Sequence, residues 1–338
     1  MGKRYEHERD VGIEALIRAA FLCQRVQKEM VGCRKEGAVE KVDRSPVTIA
    51  DYGAQAVICH ALKDAFPDDT IVAEENSFIL NRSENLPLLD GTVHYVEQAL
   101  GIKVSRQKVC DWIDSGDGQP DNRFWTLDPV DGTKGFLRME QYAVALALII
   151  DHKVQLGILA CPNLSFDSPA TRTWDSPGSG SLYVAVAGQG TYLMSLDRRQ
   201  TTPVQVSSTT DLRHARFVES VEAGHADHET QQRILRSFEN TVPSIRMDGQ
   251  TKYGMLARGA ADIYLRLPSP GTPDYHEKIW DHAAGALIVE EAGGVVTDIH
   301  GQALDFSTGK KLAANQGIAA SNGRVHQSVI EAIQKLKG

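Results

Sequence analysis

Asp128 and Asp131 stand three residues apart in Leu127-Asp128-Pro129-Val130-Asp131-Gly132-Thr133-Lys134-Gly135-Phe136. The apolar run Phe124-Trp125-Thr126-Leu127 leads into this segment as a strand would. Pro129 fixes φ between the two acids, and Gly132 permits a tight turn that leaves Thr133 opening a new segment. Such a turn can aim both carboxylates and the Val130 carbonyl at one point. Oxygen-only donor sets of this kind suit hard divalent cations such as Mg²⁺. A lone D-x-x-D pair is better explained by a helix cap and an Asx turn, but this pair has company. Glu74-Glu75 follow the apolar run Ile71-Val72-Ala73, and Trp280-Asp281-His282-Ala283-Ala284-Gly285 opens a helical stretch closing at Gly293-Gly294. Asp51 falls in the first two turns of a helix expected to start at Pro46. Taken singly, Asp281 reads as an N-cap and Asp51 as a solvated first-turn acid.

These acids have to be positioned by the elements around them. Apolar spacing predicts an opening helix through Val11, Ala15, Ile17 and Val26, and a second through Ala50, Ala54, Val57 and Leu62. Strands are expected at Thr70 to Ala73, Tyr142 to Ile150, Val154 to Ala160, Leu182 to Ala187 and Thr191 to Met194, forming one mostly antiparallel sheet. Residues 77–124 mix a helical pattern around Val93 to Leu100 with the polar run Asp114 to Pro120, which reads as a flap. After Pro203, strands at Ala215 to Ser220, Ile263 to Leu267, Val295 to Thr297 and Ile318 to Ala320 alternate with helical stretches. The expected organisation is therefore an α+β half over 1–203, carrying most of the acids and the flap at 77–124, and an α/β half over 204–338.

Composition narrows the function classes. The 36 Lys and Arg against 44 Asp and Glu leave a formal charge of -8, which offers no footprint for a nucleic-acid backbone. An acidic pocket can still take a phosphorylated small molecule if bound cations invert its sign. Five widely spaced cysteines without a C-x-x-C pair read as reduced thiols. The opening MGKRYEHERDVG is charged with no apolar stretch behind it, and no run of about 18 apolar residues occurs. A cytoplasmic monomer with no membrane partner is the expectation. Gly178-x-Gly180 and Gly188-x-Gly190 lack the third glycine of a dinucleotide fingerprint, and Gly309-Lys310-Lys311 is not a P-loop.

Together and in this order, the four acidic pieces resemble the inositol monophosphatase-like superfamily of metal-dependent, lithium-sensitive phosphatases, over nearly the whole chain. The extended forms Ser45-Pro46-Val47-Thr48, Asp131 to Arg138 and Lys278 to Gly285 are similar to those of the 3'(2'),5'-bisphosphate nucleotidases within it, as are Gln155-Leu156-Gly157, Cys161-Pro162-Asn163-Leu164 and Tyr264 to Pro268. The resemblance implies a layered αβαβα sandwich of the inositol monophosphatase and fructose bisphosphatase type. It also implies hydrolysis of the 3'-phosphate of adenosine 3',5'-bisphosphate to AMP, activity on 3'-phosphoadenosine 5'-phosphosulfate, and a setting in sulfate assimilation. By the same resemblance Glu74, Asp128, Asp131, Asp281 and the Val130 carbonyl hold two or three Mg²⁺. Li⁺ and Na⁺ inhibit there, Asp51 and Thr133 form the catalytic pair, and Glu75 stands behind the metal ligands.

Substrate contacts implied by resemblance are Gly132 and Thr133 through their amides, and His225, Lys252 and Arg266 through their side chains. Position 249 is Gly where related nucleotidases usually carry a Ser that touches substrate. Two rival functions remain open at this point: an inositol monophosphatase or inositol polyphosphate 1-phosphatase, and a non-catalytic nucleotide-binding homologue. Retention of both Asp51 and Thr133 with all the acidic ligands argues against the second.

Overall fold

A computed structural model describes residues 3–31, 38–40, 46–167, 180–221, 228–268, 271 and 275–337. In chain order the elements of the first half are α1 (Glu6–Val26), β1 (Ala38–Glu40), β2 (Pro46–Thr48), α2 (Ile49–Ala65), β3 (Thr70–Ala73), α3 (Leu86–Leu100), α4 (Arg106–Asp114), β4 (Arg123–Asp131), α5 (Thr133–Leu137), β5 (Ala143–Ile150), β6 (Lys153–Ser165), β7 (Gly180–Val186), β8 (Thr191–Ser195) and β9 (Thr201–Val204). Strands β3 to β9 lie side by side in that order. Only the β3–β4 pairing is parallel, so the expected antiparallel sheet is present. The second half contributes β10 (Phe217–Glu219), α6 (His228–Ser237), β11 (Ile245–Arg246), α7 (Thr251–Ala257), β12 (Ile263–Arg266), α8 (Ala283–Glu291), β13 (Val295–Thr297), β14 (Ile318–Ser321) and α9 (His326–Lys337). Its sheet runs β11-β10-β12-β14-β13.

Side-chain alternation along the strands makes the layers. On β5, Val144, Leu146 and Leu148 point into a core shared with α1 to α4, while Ala143, Ala145, Ala147 and Ile149 point into a second core shared with α7 and α8. On the second sheet Val218, Tyr264 and Ala320 face that same middle core, and Phe217, Ile263, Leu265 and Ala319 face α6 and α9. Three cores, the middle one enclosing α7 and α8 between the two sheets, hold five layers together, helix, sheet, helix, sheet, helix, which is the expected αβαβα sandwich. Each fully buried Leu or Ile contributes about 1.5–3 kcal/mol to it. Gly157 on β6 serves this layering, because a Cβ there would come within 2.8 Å of the Ala284 carbonyl. Its absence lets α8, which follows Asp281, lie directly on the first sheet.

Several expectations change. Pro46 begins β2, paired antiparallel to β1, and the helix starts at Ile49 with Thr48 as its N-cap. Asp51 is therefore in the first turn. Asp281 caps nothing: it ends a 3₁₀ turn, Ile279–Asp281, and the chain breaks at His282 (φ -137°) before α8 begins. Residues 77–124, expected as a flap, hold two helices, α3 and α4, whose Leu88, Leu89, Val96, Val109 and Ile113 enter the first core. The polar run after α4 is tied to β3, with Ala73 N–H donating to Gly116 O (2.7 Å) and Gly118 N–H to Ile71 O (2.9 Å). Its hydrophilic composition reflects exposure on one side, while the backbone pairs on the other. Helix α4 went unexpected because its apolar residues are few, though Ser105 caps it. His225, Ser45 and residues 168–179 of the expected surface loop lie outside the described residues. Cys23, Cys59, Cys110 and Cys161 are free and buried. Among the described residues no helix is long and apolar enough to cross a membrane.

Candidate active site

A cavity of about 390 Å³ opens where the strand ends of the first sheet meet the middle helices. Its wall includes Glu74, Asp128, Val130, Asp131, Gly132, Thr133, Gly249, Lys252, Arg266 and Asp281. Ten of the residues singled out from sequence therefore share one space, though they come from β3, β4, α5, α7, β12 and the turn before α8. Glu74 is delivered by β3, whose end is held beside β4 by its N–H donating to Leu127 O (3.2 Å). Asp128 and Asp131 are delivered by β4. Pairing with β5 slips between them, Asp128 opposite Ala145 and Asp131 opposite Ala143, so three residues on one strand match two on the other. Pro129, which has no N–H to give the ladder, lies in that bulge. Gly132 follows with φ +94° and caps α5.

Asp51 lies behind this wall, buried, on the first turn of α2. Thr133 Oγ1 is 3.2 Å from Asp51 Oδ1 and 3.1 Å from the Val130 carbonyl, so its one proton has an acceptor in either. The other carboxylate oxygen is fixed by a capping box: Thr48 N–H (2.8 Å) and Thr48 Oγ1–H (2.6 Å) both donate to Asp51 Oδ2. Glu75 is buried and absent from the cavity wall. Gln55 of α2 clamps its backbone, accepting from Glu75 N–H (3.0 Å) and donating to Glu75 O (2.6 Å). Gln250 does the same for the far side, donating to Trp280 O (2.9 Å) and accepting from Gly285 N–H (3.1 Å), which pins the chain on both sides of Asp281. Neither glutamine was picked out from sequence, where a helical Gln is silent. Thr48-x-x-Asp51 did carry a readable cap pattern.

The electrostatics divide the cavity. Sunk in its wall, Asp131 is pushed up to about 6 by burial, against Lys252 and Arg266. Burial also raises Asp281 well above the carboxylate range, with Asp131 and Glu74 adding to it against Arg266. Carboxylates that resist ionisation side by side are the condition a bound cation relieves, and Glu74, Asp128, Asp131, Asp281 and the Val130 carbonyl make an all-oxygen set. This donor set fits Mg²⁺. Among the described residues, the group whose ligand atoms all lie within 4.8 Å of one another is Glu277, Asp281 and His282, while Glu74, Asp128 and Asp131 share the cavity wall with Asp281 at wider spacing. Glu277 is nevertheless committed elsewhere, 2.7 Å from Arg266 Nε and 3.3 Å from His282 Nε2. On the opposite side Lys252 is lowered to about 8 by burial, opposed chiefly by Asp131. Its ammonium sits over the Tyr264 ring at 5.2 Å.

Gly249 has φ +63°, and a Cβ there would stand 2.2 Å from the Asp131 carbonyl oxygen. The Gln250 N–H also hydrogen-bonds Asp131. The loop before α7 thus packs backbone to backbone on the Asp131 turn. Gly at 249 is what permits this close approach.

The family model described as the inositol monophosphatase family matches residues 6–337. The chain is similar to the 3'(2'),5'-bisphosphate nucleotidase of Emericella nidulans, 43% identical over 98% of this chain and 99% of the relative. It is 42% identical to the protein of the same name from Schizosaccharomyces pombe, over 97% and 95% of the two chains. Among solved structures it resembles the IMPase of Thermotoga maritima, with a TM-score of 0.65, 20% identity and 98% of both chains covered. That likeness concerns the fold.

Proposed function

Because the chain belongs to the inositol monophosphatase family, we propose that it is a phosphoric monoester hydrolase converting adenosine 3',5'-bisphosphate to AMP and phosphate, as the names of its relatives at 42% and 43% identity suggest. We extend the reading to 3'-phosphoadenosine 5'-phosphosulfate, to Mg²⁺ dependence with Li⁺ inhibition, to a monomer, and to a cytoplasmic setting, for whose reducing character the four free buried thiols among the described residues speak. The observation that carries the reading is the gathering of Glu74, Asp128, Asp131 and Asp281 on one cavity wall, with Lys252 and Arg266 on the same cavity.

In this reading Glu74, Asp128, Asp131, Asp281 and the Val130 carbonyl hold Mg²⁺. Bound there, the metal supplies positive charge to phosphoryl oxygens and acidity to a water. Asp51 holds the Thr133 hydroxyl so that its oxygen lone pair, rather than its proton, is offered to the attacking water. The capping box holds Asp51 itself in place. The Gly132 and Thr133 amides bind the reacting phosphate, and Lys252 and Arg266 bind the remote phosphate or the ribose. The halves 1–203 and 204–338 divide this labour, chemistry on the first and nucleotide recognition, with Asp281, on the second.

Phosphate release from adenosine 3',5'-bisphosphate and from inositol 1-phosphate, with and without Mg²⁺ and Li⁺, tests the reading. Mg²⁺-dependent, Li⁺-inhibited preference for the nucleotide is expected. Preference for the inositol ester overturns the substrate assignment, and no turnover of either overturns the activity.

A further inference from the structure

Arg266 stands on β12 at the cavity edge with its side chain 16% exposed, and what lies behind it is polar. Glu277, 8% exposed, meets Arg266 Nε at 2.7 Å through Oε2. The same oxygen is 3.3 Å from Nε2 of His282, whose side chain is wholly buried. The other ring nitrogen, Nδ1, is 2.8 Å from the Tyr253 hydroxyl. The chain therefore runs Arg266, Glu277, His282, Tyr253 without a break. An ionised carboxylate only accepts, so Nε2 carries the hydrogen in the neutral ring, Nδ1 accepts, and the Tyr253 hydroxyl donates. One tautomer satisfies every link.

The ends of this chain are anchored. Leu312 N–H donates to the Glu277 carbonyl (2.9 Å) and Ile279 N–H to Lys310 O (3.2 Å), which fixes the backbone that carries Glu277. Tyr253 sits edge-on to Tyr264 with ring centres 5.2 Å apart, and Lys252 lies over that same Tyr264 ring. Tyr264 also hydrogen-bonds Arg266, and of the two cations it is Arg266 that is ion-paired at close range, to Glu277.

We propose that Glu277, His282 and Tyr253 are positioning residues that set the direction of the Arg266 guanidinium, making Arg266 the oriented donor of the cavity and leaving Lys252 as its source of net positive charge. The reasoning is electrostatic. A guanidinium paired with a buried carboxylate presents little net charge, so its value to a ligand lies in the geometry of its remaining N–H groups. The Lys252 ammonium, which donates to the Met247 carbonyl (3.3 Å) and has no close carboxylate partner among the described residues, acts more as a point charge whose direction matters less. The proposal rests on the phosphatase reading above.

Its test is a double-substitution cycle of Glu277→Gln and Arg266→Gln, read on whichever phosphate ester the wild type hydrolyses, beside a minimal ester such as p-nitrophenyl phosphate. Glu277→Gln is expected to raise KM for the larger substrate about tenfold while kcat falls far less, and to leave the minimal ester less affected. In the Arg266→Gln background it should change little more, since the oriented group is already gone. Tyr253→Phe, which removes one oxygen at the far end of the chain, should act in the same direction more weakly. That variant carries the test if Glu277→Gln does not fold. A lower KM in Glu277→Gln would mean that released charge matters more than orientation, and would overturn the proposal. Equal losses in kcat and KM on both esters, or additive effects in the cycle, would reduce Glu277 to a structural residue. Because the cycle can be run on an inositol phosphate as well as on the nucleotide, a wrong substrate assignment remains distinguishable from a failed positioning chain.

Discussion

The two sides of the cavity are built by different means. The acidic side is placed mainly by the course of the backbone, which side chains such as Gln55, Gln250 and Thr48 then clamp: β3 and β4 end beside each other, a bulge at Pro129 turns Asp128 and Asp131, and a capping box holds Asp51. The cationic side is made by side chains holding side chains: Arg266 on Glu277, Glu277 against His282, and His282 against Tyr253. A backbone device fixes direction through local sequence and tolerates no displacement. A side-chain relay draws on residues far apart in the chain, and can be weakened by degrees. Substitutions on the acidic side should therefore abolish turnover, whereas those on the cationic side should change affinity and selectivity.

Asp131→Asn gives the largest contrast. We expect kcat to fall by about 10³ or more at saturating Mg²⁺, since the charge that holds the cation is gone. The metal-free variant should meanwhile melt higher than metal-free wild type at pH 7.5. The folded carboxyl titrates near 6, above its unfolded value, so the stability it contributes is present at acid pH and lost as pH rises through 6. Asn does not titrate. Mg²⁺ should raise the melting temperature of wild type and not of the variant. Unchanged turnover, or Mg²⁺ stabilisation of both proteins alike, would remove Asp131 from the metal site.

Lys252→Ala probes the other side and should chiefly raise KM, about 10- to 100-fold for the bisphosphate and much less for a minimal ester. The wild-type pH profile offers a second reading. Burial brings the folded Lys252 to about 8, so above that pH the free enzyme loses the ammonium. For the nucleotide, kcat/KM should decline as pH passes 8. A decline of the same size in Lys252→Ala would assign it to another group.

This division also explains what could be read in advance. β3 and β13 are found with their expected ends, because short apolar runs bounded by polar residues state their own limits. Glu74 and Asp128 were legible for the same reason, since each directly follows such a run, whereas Asp51 and Asp281, on a helix turn and a 3₁₀ turn, were singled out by the resemblance. Glu277 and Tyr253 were not, because nothing local distinguishes a Glu beneath an Arg from a solvated one, and their partners are supplied by β12 and α8. Gln55 and Gln250 were missed likewise. Pro46 misled by imitating a helix start, when it opens a short strand whose last residue, Thr48, is the true cap.

Gly249→Ala joins the two sides and should have an intermediate effect. The new Cβ meets the Asp131 carbonyl at 2.2 Å and the backbone there has φ +63°. A cost of about 1–3 kcal/mol in stability is expected, with a fall in kcat as the Asp131 turn is pushed from the α7 loop. Chemical denaturation and phosphate release measure the two. An unaffected kcat would show that the acidic side holds its shape without the contact.

The smallest effect is expected from Thr48→Val, and it tests whether a helix cap can double as a catalytic support. Removing the hydroxyl deletes both the acceptor for Ala50 N–H (3.0 Å) and one donor to Asp51 Oδ2. The first loss should cost about 0.5–2 kcal/mol in stability, as caps generally do. The second removes one of the bonds that orient the Asp51 carboxylate, so that Thr133 is held less firmly and kcat falls by several-fold with KM little changed. Thr48→Ser keeps both bonds and should restore both quantities. If Val lowers stability while kcat is untouched, the cap serves only the helix, and Asp51 is oriented by Thr133 rather than the reverse.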